Sequence, residues 1–160
     1  MIKPRKMRAK PPRSPSPLPL PARLPPRLGR VQSYWAKLRR GQAEMPFSDD
    51  VKLGALGKAA AGVTFFDVLQ RPVRFRFAIV GGEIEALYGQ SLAGMFADEI
   101  TPQSPLDYLV AQCSATIESR GATYFRSSGY SRLILPLWGD GHINGLLGAV
   151  ASIKGGLRRR

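Results

Sequence analysis

The sequence contains very few residues of the two types that most often bind metals or act as catalytic nucleophiles and bases. Among 160 residues there is one cysteine, Cys113, and one histidine, His142. A single cysteine excludes a disulfide within the chain and a thiolate metal cluster, and a single histidine is too few for a histidine-based metal site. This cysteine usage suits a reducing compartment, and we expect a cytoplasmic location.

Acidic residues are missing from the beginning of the chain, and long apolar runs are missing throughout. No run approaches the roughly 18 apolar residues that span a bilayer. Residues 1–40 contain twelve lysines and arginines and residues 154–160 contain four more, whereas 41–153 hold eight basic and eleven acidic side chains. The net charge of +13 therefore comes from the two ends. Such ends suit a nonspecific contact with nucleic acid or with an acidic membrane surface.

Prolines mark the expected domain boundary. Nine of the fourteen prolines lie in residues 1–30. That density disfavours a helix or a central strand, and together with the unopposed positive charge it predicts a disordered tail. We therefore expect a disordered tail over 1–30, a folded domain over 31–153 and a basic tail over 154–160.

Apolar spacing predicts the first elements of the domain. Val31, Tyr34, Trp35 and Leu38 fall on one stripe of a helix. Ser48, Asp49 and Asp50 are suitable N-caps for a second helix that runs to about residue 60. Residues 63–69, VTFFDVL, are β-branched and aromatic, which is typical of a strand.

A second strand follows, with apolar and basic residues in alternation. Period two places the aromatic residues on one face and Arg74 and Arg76 on the other, where they would face solvent or an anionic partner. Gly81 and Gly82 break the strand, and we expect them to allow a tight turn or a positive φ before a short helix. The side chains predicted to face the core are Val73, Phe75, Phe77 and Ile79.

The C-terminal half predicts a helix and a meander of strands. Ser104 can cap a helix with Pro105 at its first position, and Gly121 can close it. Residues 122–128, 131–139 and 142–153 read as strands, with Asp140-Gly141 as a type I′ hairpin turn and Asn144-Gly145 as a bulge. The apolar stripe of the helix is Leu106, Leu109, Val110, Cys113 and Ile117.

The order of these elements predicts an α+β fold. We expect about five antiparallel strands in one sheet, with helices packed on one face and an additional N-terminal helix. Tyr34 and Trp35 either pack that helix onto the domain or dock a partner.

Several short motifs follow one another in a particular order and spacing. These are Tyr34-Trp35; Asp49-Asp50; Phe65-Phe66-Asp67; Arg74-Phe75-Arg76 with Gly81; Tyr88-Gly89 with Leu92 and Gly94; and Arg132-Leu133 with Leu135-Pro136-Leu137 and Asp140-Gly141. In this order and spacing, the chain resembles PAS domains over residues 31–153, and among them a family of PAS-like proteins found mainly in alphaproteobacteria.

The resemblance implies a sensory or regulatory module with no output domain of its own, acting through protein contacts, with or without a small ligand. The implied partner is a separate signalling protein such as a histidine kinase, or a second copy in a homodimer. A ligand pocket between sheet and helices would be lined by apolar side chains. These are Phe77, Leu87, Tyr88, Leu109, Cys113 and Leu135.

The same resemblance disfavours two cofactors. Flavin-binding photosensors of this fold use a cysteine in an Asn-Cys-Arg context, whereas Cys113 lies between Gln112 and Ser114. Haem-binding relatives use a helical histidine, whereas His142 adjoins a hairpin turn. We therefore predict no cofactor of either kind.

Two other classes of function stay open. The basic tails are compatible with a nucleic-acid-associated protein, although 41–153 is net acidic and contains no recognised binding motif. An enzyme with a nucleophile and a base would need Ser131 or Cys113 to meet His142 in the fold. We predict that the chain is not an enzyme.

Overall fold

The computed structural model describes residues 18–153, so the predictions for residues 1–17 and for the tail 154–160 lie outside the described part. Three α-helices, five strands and three 3₁₀ segments are present there. The helices are α1, Pro26–Leu38; α2, Gly82–Tyr88; and α3, Leu109–Ser119. The strands are β1, Val63–Leu69; β2, Arg74–Val80; β3, Thr123–Arg126; β4, Tyr130–Gly139; and β5, His142–Ser152. The 3₁₀ segments are Ser48–Asp50, Leu53–Gly62 and Ala97–Glu99.

The five strands form one antiparallel sheet in the order β2–β1–β5–β4–β3, which confirms the predicted α+β class and the predicted sheet. Every residue of β4 from 130 to 137 is buried. Because alternate residues of a strand point to opposite faces, both faces of the sheet are covered at this strand. Helix α3 contacts β3 and β4, and α1 contacts β4 and β5. The second face is covered by α1, the additional N-terminal helix, for which no face was predicted.

Helix α1 begins at Pro26, five residues before the predicted stripe. Proline is compatible with the first turn of a helix, where its missing N–H is not needed. Leu28, Val31 and Trp35 are buried on the sheet side of α1. The predicted tail 1–30 is therefore wrong for residues 26–30. Before the helix, the main-chain N–H of Tyr124 donates to the carbonyl of Leu18 at 2.9 Å.

The helix expected after Ser48 is replaced by two 3₁₀ segments. The second, Leu53–Gly62, is interrupted at Gly57, whose φ of 59° and ψ of −131° are not helical. Leu56 is buried and Leu53 is half-buried. The glycine-rich sequence of this segment explains why the predicted α-helix does not form, because glycine loses the most backbone entropy when it becomes helical.

Strand β1 has the predicted bounds, and β2 differs from its prediction in the side chains that face the core. Phe75 and Phe77 are buried, but Val73 and Ile79 are exposed. Val73 precedes the strand. Ile79 pairs with Phe65 while Phe77 pairs with Phe66, so the register shifts by one residue between them and turns Ile79 to the other face.

Gly81 joins β2 to α2 at a position where another part of the main chain comes close. Its φ is −64°, so of the two predicted alternatives, a tight turn or a positive φ, the positive φ is not observed at this residue. A Cβ at this position would overlap the carbonyl group of Ala61 and lie 2.6 Å from the carbonyl oxygen of Ala60. Close approach of the backbone therefore requires glycine here.

We expect Gly81→Ala to lower the free energy of unfolding by about 2–3 kcal/mol, because the clash involves main-chain atoms that cannot rotate away. Gly82→Ala is the matched control, since a Cβ there would meet nothing within 4 Å. That variant should be neutral or raise stability by up to about 1 kcal/mol. Urea denaturation of both variants measures the difference, and equal midpoints would contradict this explanation.

The helix predicted from Ser104 begins only at Leu109. Tyr108 precedes it with a left-handed φ of 57°, and the helix is followed by Arg120 with φ 55° rather than closed by Gly121. Residues 104–108 instead form a loop, and the main-chain carbonyl groups of Pro105 and Asp107 in this loop bind Arg132.

At the other end of the domain, Asp140 and Gly141 both have positive φ, which agrees with the predicted hairpin turn. Leu137 pairs with Gly145 and Trp138 with Ile143, so the bulge at Asn144 is confirmed.

Candidate functional site: a cleft beside α3

The loop before α3 is held by a buried arginine. Arg132 on β4 is 2% exposed. Its guanidinium donates from Nη1 to the carbonyl of Pro105 at 2.9 Å, from Nη2 to the carbonyl of Asp107 at 2.7 Å, and from Nε to Oε1 of Gln112 at 2.7 Å. Among residues 18–153, no carboxylate forms an ion pair with it. Neutral oxygens therefore accept the hydrogen bonds of this buried charge.

Gln112 links the arginine to the sheet. Its Nε2 donates to the carbonyl and to the hydroxyl of Thr123 and to the main-chain carbonyl of Arg132, each at 3.1 Å. The hydroxyl groups of Thr116 and Thr123 are 2.7 Å apart. A fully connected buried network of this kind fixes the position of α3 on β3 and β4.

Burial controls the ionisation of the groups around Arg132. It raises the pKa of the Tyr130 phenol to about 12 and the pKa of the Cys113 thiol to about 12. It also lowers the pKa of the Arg132 guanidinium from its ordinary value. Tyr130 and Cys113 are therefore neutral at physiological pH, and a thiol held neutral in this way is a poor nucleophile. Cys113 behaves as the small buried hydrophobe that its position on the apolar stripe predicts.

A cleft lies outside this network, along α3. We use the name α3 cleft for two neighbouring cavities that share Tyr108 and Ala111. The first has a volume of about 700 Å³ and the second about 320 Å³. The first is lined by residues 97–98, 100, 102 and 106–111, and the second also by Leu18, Ala115 and Phe125.

Tyr108 is the most exposed aromatic side chain on the wall of the cleft. It is 72% exposed, and its ring centroid lies 5.7 Å from that of Phe125. Its left-handed φ is uncommon for a residue with a large side chain. The two carbonyl bonds from Arg132 to Pro105 and Asp107 hold the preceding loop, so the buried network presents Tyr108 to solvent.

Two carboxylates line the same cleft. Asp107 accepts a hydrogen bond from the Tyr130 hydroxyl at 3.1 Å. Asp98 accepts two from Arg74, at 2.8 and 2.7 Å, and these bonds hold the pKa of Asp98 below its usual range. Arg74 also pairs with Glu99. The Asp98 carboxylate is therefore ionised, and hydrogen bonds hold both carboxylates in position.

All six predicted ligand-lining residues are buried or half-buried, and five of them do not line the α3 cleft. Phe77, Tyr88, Cys113 and Leu135 are buried, and Leu87 is half-buried. Leu109 is also buried, and it contributes to the wall of the 700 Å³ cavity. Side chains such as Arg132 and Gln112 occupy the space between α3 and the sheet, so a ligand-lining role for this set stays a prediction.

Tyr34 and Trp35, the predicted partner-docking residues, both make contacts within the chain. Trp35 is 8% exposed, and its indole N–H donates to the carbonyl of Pro136 at 2.8 Å. The hydroxyl of Tyr34 donates to the carbonyl of Lys52 at 3.0 Å. Their part in partner binding stays a prediction, and their observed role is to attach α1 to the domain.

The predicted anion-holding arginines of β2 are also engaged within the chain. Arg74 binds Asp98 and Glu99, and Arg76 pairs with Asp67 at 2.9 Å. These carboxylates occupy the positions that an external anion would take.

Ser131 and His142, one of the two nucleophile–base pairs considered from the sequence, do not meet. His142 pairs with Gly139 at the turn end of the β4–β5 hairpin, and Ser131 pairs with Ala151 near the other end. Eight residues of strand separate the two positions, which corresponds to roughly 26 Å. The histidine therefore does not have Ser131 beside it. Cys113, the other predicted nucleophile, is fully buried on α3.

Sequence reasoning missed the residues that build the α3 cleft. Arg132 was noted only as part of a motif, because nothing local distinguishes a buried arginine from an exposed one. The only available signal was its position inside a long apolar run, where an unpaired charge is costly and must find partners. Tyr108 was missed because it lies within the helix that was predicted from Ser104, whereas α3 begins only at Leu109.

The described residues contain neither a cluster of metal ligands nor a helix that could cross a membrane. No group of three or more histidine, cysteine, aspartate or glutamate side chains within 18–153 is arranged to hold a metal ion. In the same part of the chain, each helix is too short or too polar to cross a membrane.

Comparisons of this chain with models of known protein families, with curated proteins and with solved structures find no match.

Proposed function

We propose that this chain is a PAS-like regulatory module that binds a protein partner in the α3 cleft and carries out no chemistry itself. The five-stranded antiparallel sheet, with α2 and α3 between β2 and β3, is compatible with the PAS fold that the motifs resemble. The cytoplasm is the proposed location.

The exposure of Tyr108 is the observation that carries this proposal. A large aromatic side chain that is 72% exposed, on a left-handed residue and beside two cavities, is costly to maintain without a use. Tyrosine is also enriched among the residues that contribute most to binding at protein interfaces. Val110, exposed in the first turn of α3, extends the same surface.

The lining of the cleft indicates the chemistry of the partner. Apolar walls at Ile100 and Ala111 suit an apolar side chain, while Asp107, which forms no ion pair in the described part of the chain, suits a lysine or arginine beside it. We therefore propose a partner segment that presents an apolar anchor next to a basic residue, on a signalling protein such as a histidine kinase. A volume of about 700 Å³ is also within the range of small-molecule sites, so a ligand in the cleft would compete with the partner and regulate its binding.

Site-specific photocrosslinking tests this proposal. A photoreactive amino acid at Val110 is expected to capture a defined partner in cells, whereas the same amino acid at Glu118, which is exposed farther along α3, is expected to capture little. Equal capture at the two positions would show only nonspecific proximity and would contradict a docking role for the cleft.

The captured protein is then purified and its affinity measured. We expect Tyr108→Ala to weaken binding by about tenfold or more, because a buried aromatic anchor is lost. Glu118→Ala is the matched control on the same helix and should bind as the unaltered chain does. If Tyr108→Ala retains full affinity while its circular dichroism spectrum is unchanged, the partner does not use the cleft.

A further inference from the structure

A second surface, on the side of α1 that faces the segment Leu53–Gly62, carries several positive charges. Arg30 and Lys37 are seven residues apart on α1 and therefore lie on one side of it. Lys52 and Lys58 lie just before and within the neighbouring 3₁₀ segment. We call these four residues the basic strip.

Hydrogen bonds join the two elements of the basic strip. Arg30 donates from Nε to the carbonyl of Leu56 at 3.1 Å and from Nη2 to the carbonyl of Ala55 at 3.2 Å. Tyr34, which lies between Arg30 and Lys37 on α1, accepts from the main-chain N–H of Lys52 at 2.6 Å. These bonds hold α1 against the segment that carries Lys52 and Lys58, so the main-chain positions of the four cations are fixed relative to one another before any partner binds.

No carboxylate neutralises this surface within the described residues. Arg30, Lys37, Lys52 and Lys58 are all exposed, and none of them forms an ion pair in the described part of the chain. Two other arginines of this part of the chain are, by contrast, paired with carboxylates. Arg27 pairs with Glu83 at 2.8 Å, and Arg40 pairs with Asp50 at 2.8 Å. Four exposed like charges that form no ion pair attract an anionic partner.

The surface around Arg30 is open enough for a phosphate group to approach. Gly57 has no side chain, and a Cβ at its position would be 3.8 Å from Nη2 of Arg30. A Cβ placed on Gly54 would have no other atom within 4 Å. Arg30 and Lys37 are about 10 Å apart along the helix axis, which matches the rise of about three nucleotides of one DNA strand.

We propose that the basic strip binds the phosphate backbone of a nucleic acid, without reading its sequence. A membrane surface fits less well, because the apolar side chains of α1 that could insert into lipid, Leu28, Val31 and Trp35, are buried against the sheet. The exposed residues beside the strip, Ala55 and Ala61, are too small to serve as anchors. The basic residues in 1–17 and 154–160 have the same sign and would add to the attraction.

Fluorescence anisotropy with the full chain tests the proposal. Labelled duplex DNA and single-stranded RNA are titrated over a salt series from about 50 to 200 mM. We expect Lys37→Gln/Lys58→Gln to weaken binding about tenfold and to reduce the slope of log affinity against log salt by about 2, since each lost phosphate contact removes about one unit. The matched control is Arg71→Gln/Arg126→Gln, which removes the same charge from exposed arginines outside the strip.

Three outcomes would overturn the proposal. The first is equal weakening by the two double variants, which would leave only a general effect of net charge. The second is the absence of binding at the lowest salt concentration. The third is loss of binding to phosphatidylserine-containing vesicles in the strip variant while its nucleic-acid binding is unchanged, which would assign the surface to a membrane. Tyr108→Ala should leave nucleic-acid binding intact, so this test is independent of the α3 cleft.

Discussion

Replacement of Arg132 by alanine is expected to lower the free energy of unfolding by about 3–5 kcal/mol. The substitution removes three hydrogen bonds and leaves the carbonyl oxygens of Pro105 and Asp107 and the Oε1 of Gln112 without their donor. Each buried polar group left unsatisfied costs about 1–3 kcal/mol. The same change releases the loop before α3, so Tyr108 should lose its fixed position.

Urea denaturation measures this effect, and Arg126→Ala is its matched control. Arg126 is exposed on β3, next to β4, and its replacement should change stability by no more than about 0.5 kcal/mol. Arg132→Lys keeps the charge but cannot reproduce three divergent bonds, so it should fall between the two. Equal denaturation midpoints for Arg132→Ala and Arg126→Ala would show that the network does not hold the loop.

Replacement of Trp35 by alanine is expected to lower the free energy of unfolding by a similar amount, about 3–5 kcal/mol. The indole fills the space between α1 and the sheet, where it is 8% exposed, and it donates a hydrogen bond to Pro136. Its removal leaves a cavity and an unpaired carbonyl group on β4. The loss should appear in chemical denaturation, and the subunit number should stay the same in sedimentation velocity.

Two further variants separate packing from docking. Trp35→Phe keeps most of the apolar surface and loses the hydrogen bond, so a loss of about 1–2 kcal/mol is expected. Tyr34→Phe removes a hydroxyl that is bound at an exposed position, and should cost less than about 1 kcal/mol. If Trp35→Ala instead leaves stability unchanged and alters the subunit number, the helix is a dimerisation element rather than a packed part of the domain.

Local patterns predicted the elements whose conformation depends on near neighbours. β1 has the bounds of its β-branched and aromatic run, and the Asp140-Gly141 turn follows from the tolerance of those residues for positive φ. The Ser104 prediction was wrong for a non-local reason. The carbonyls of Pro105 and Asp107 accept from Arg132, which is 27 and 25 residues away in sequence, so they are not available to begin a helix.

The candidate site depends on the same non-local contacts. Its walls come from the loop before α3, from α3 and from β3, and Tyr108 is exposed only because the loop departs from the predicted helix. A stripe of apolar residues identified Leu109 and Cys113 as buried, but it could not show that a polar network, rather than a ligand, fills the space beside them.

The amino-acid sequence by itself determined the composition of the two ends, the strands, the hairpin and the α+β class, because alternation, turn preferences and apolar periodicity act over a few residues. Tertiary structure alone decided that α1 covers a second face of the sheet, that Arg132 is buried among neutral oxygens, and that α1, with Arg30 and Lys37, lies beside the segment Leu53–Gly62. Each of these arrangements joins groups far apart along the chain, and only the packed fold brings such groups within contact distance.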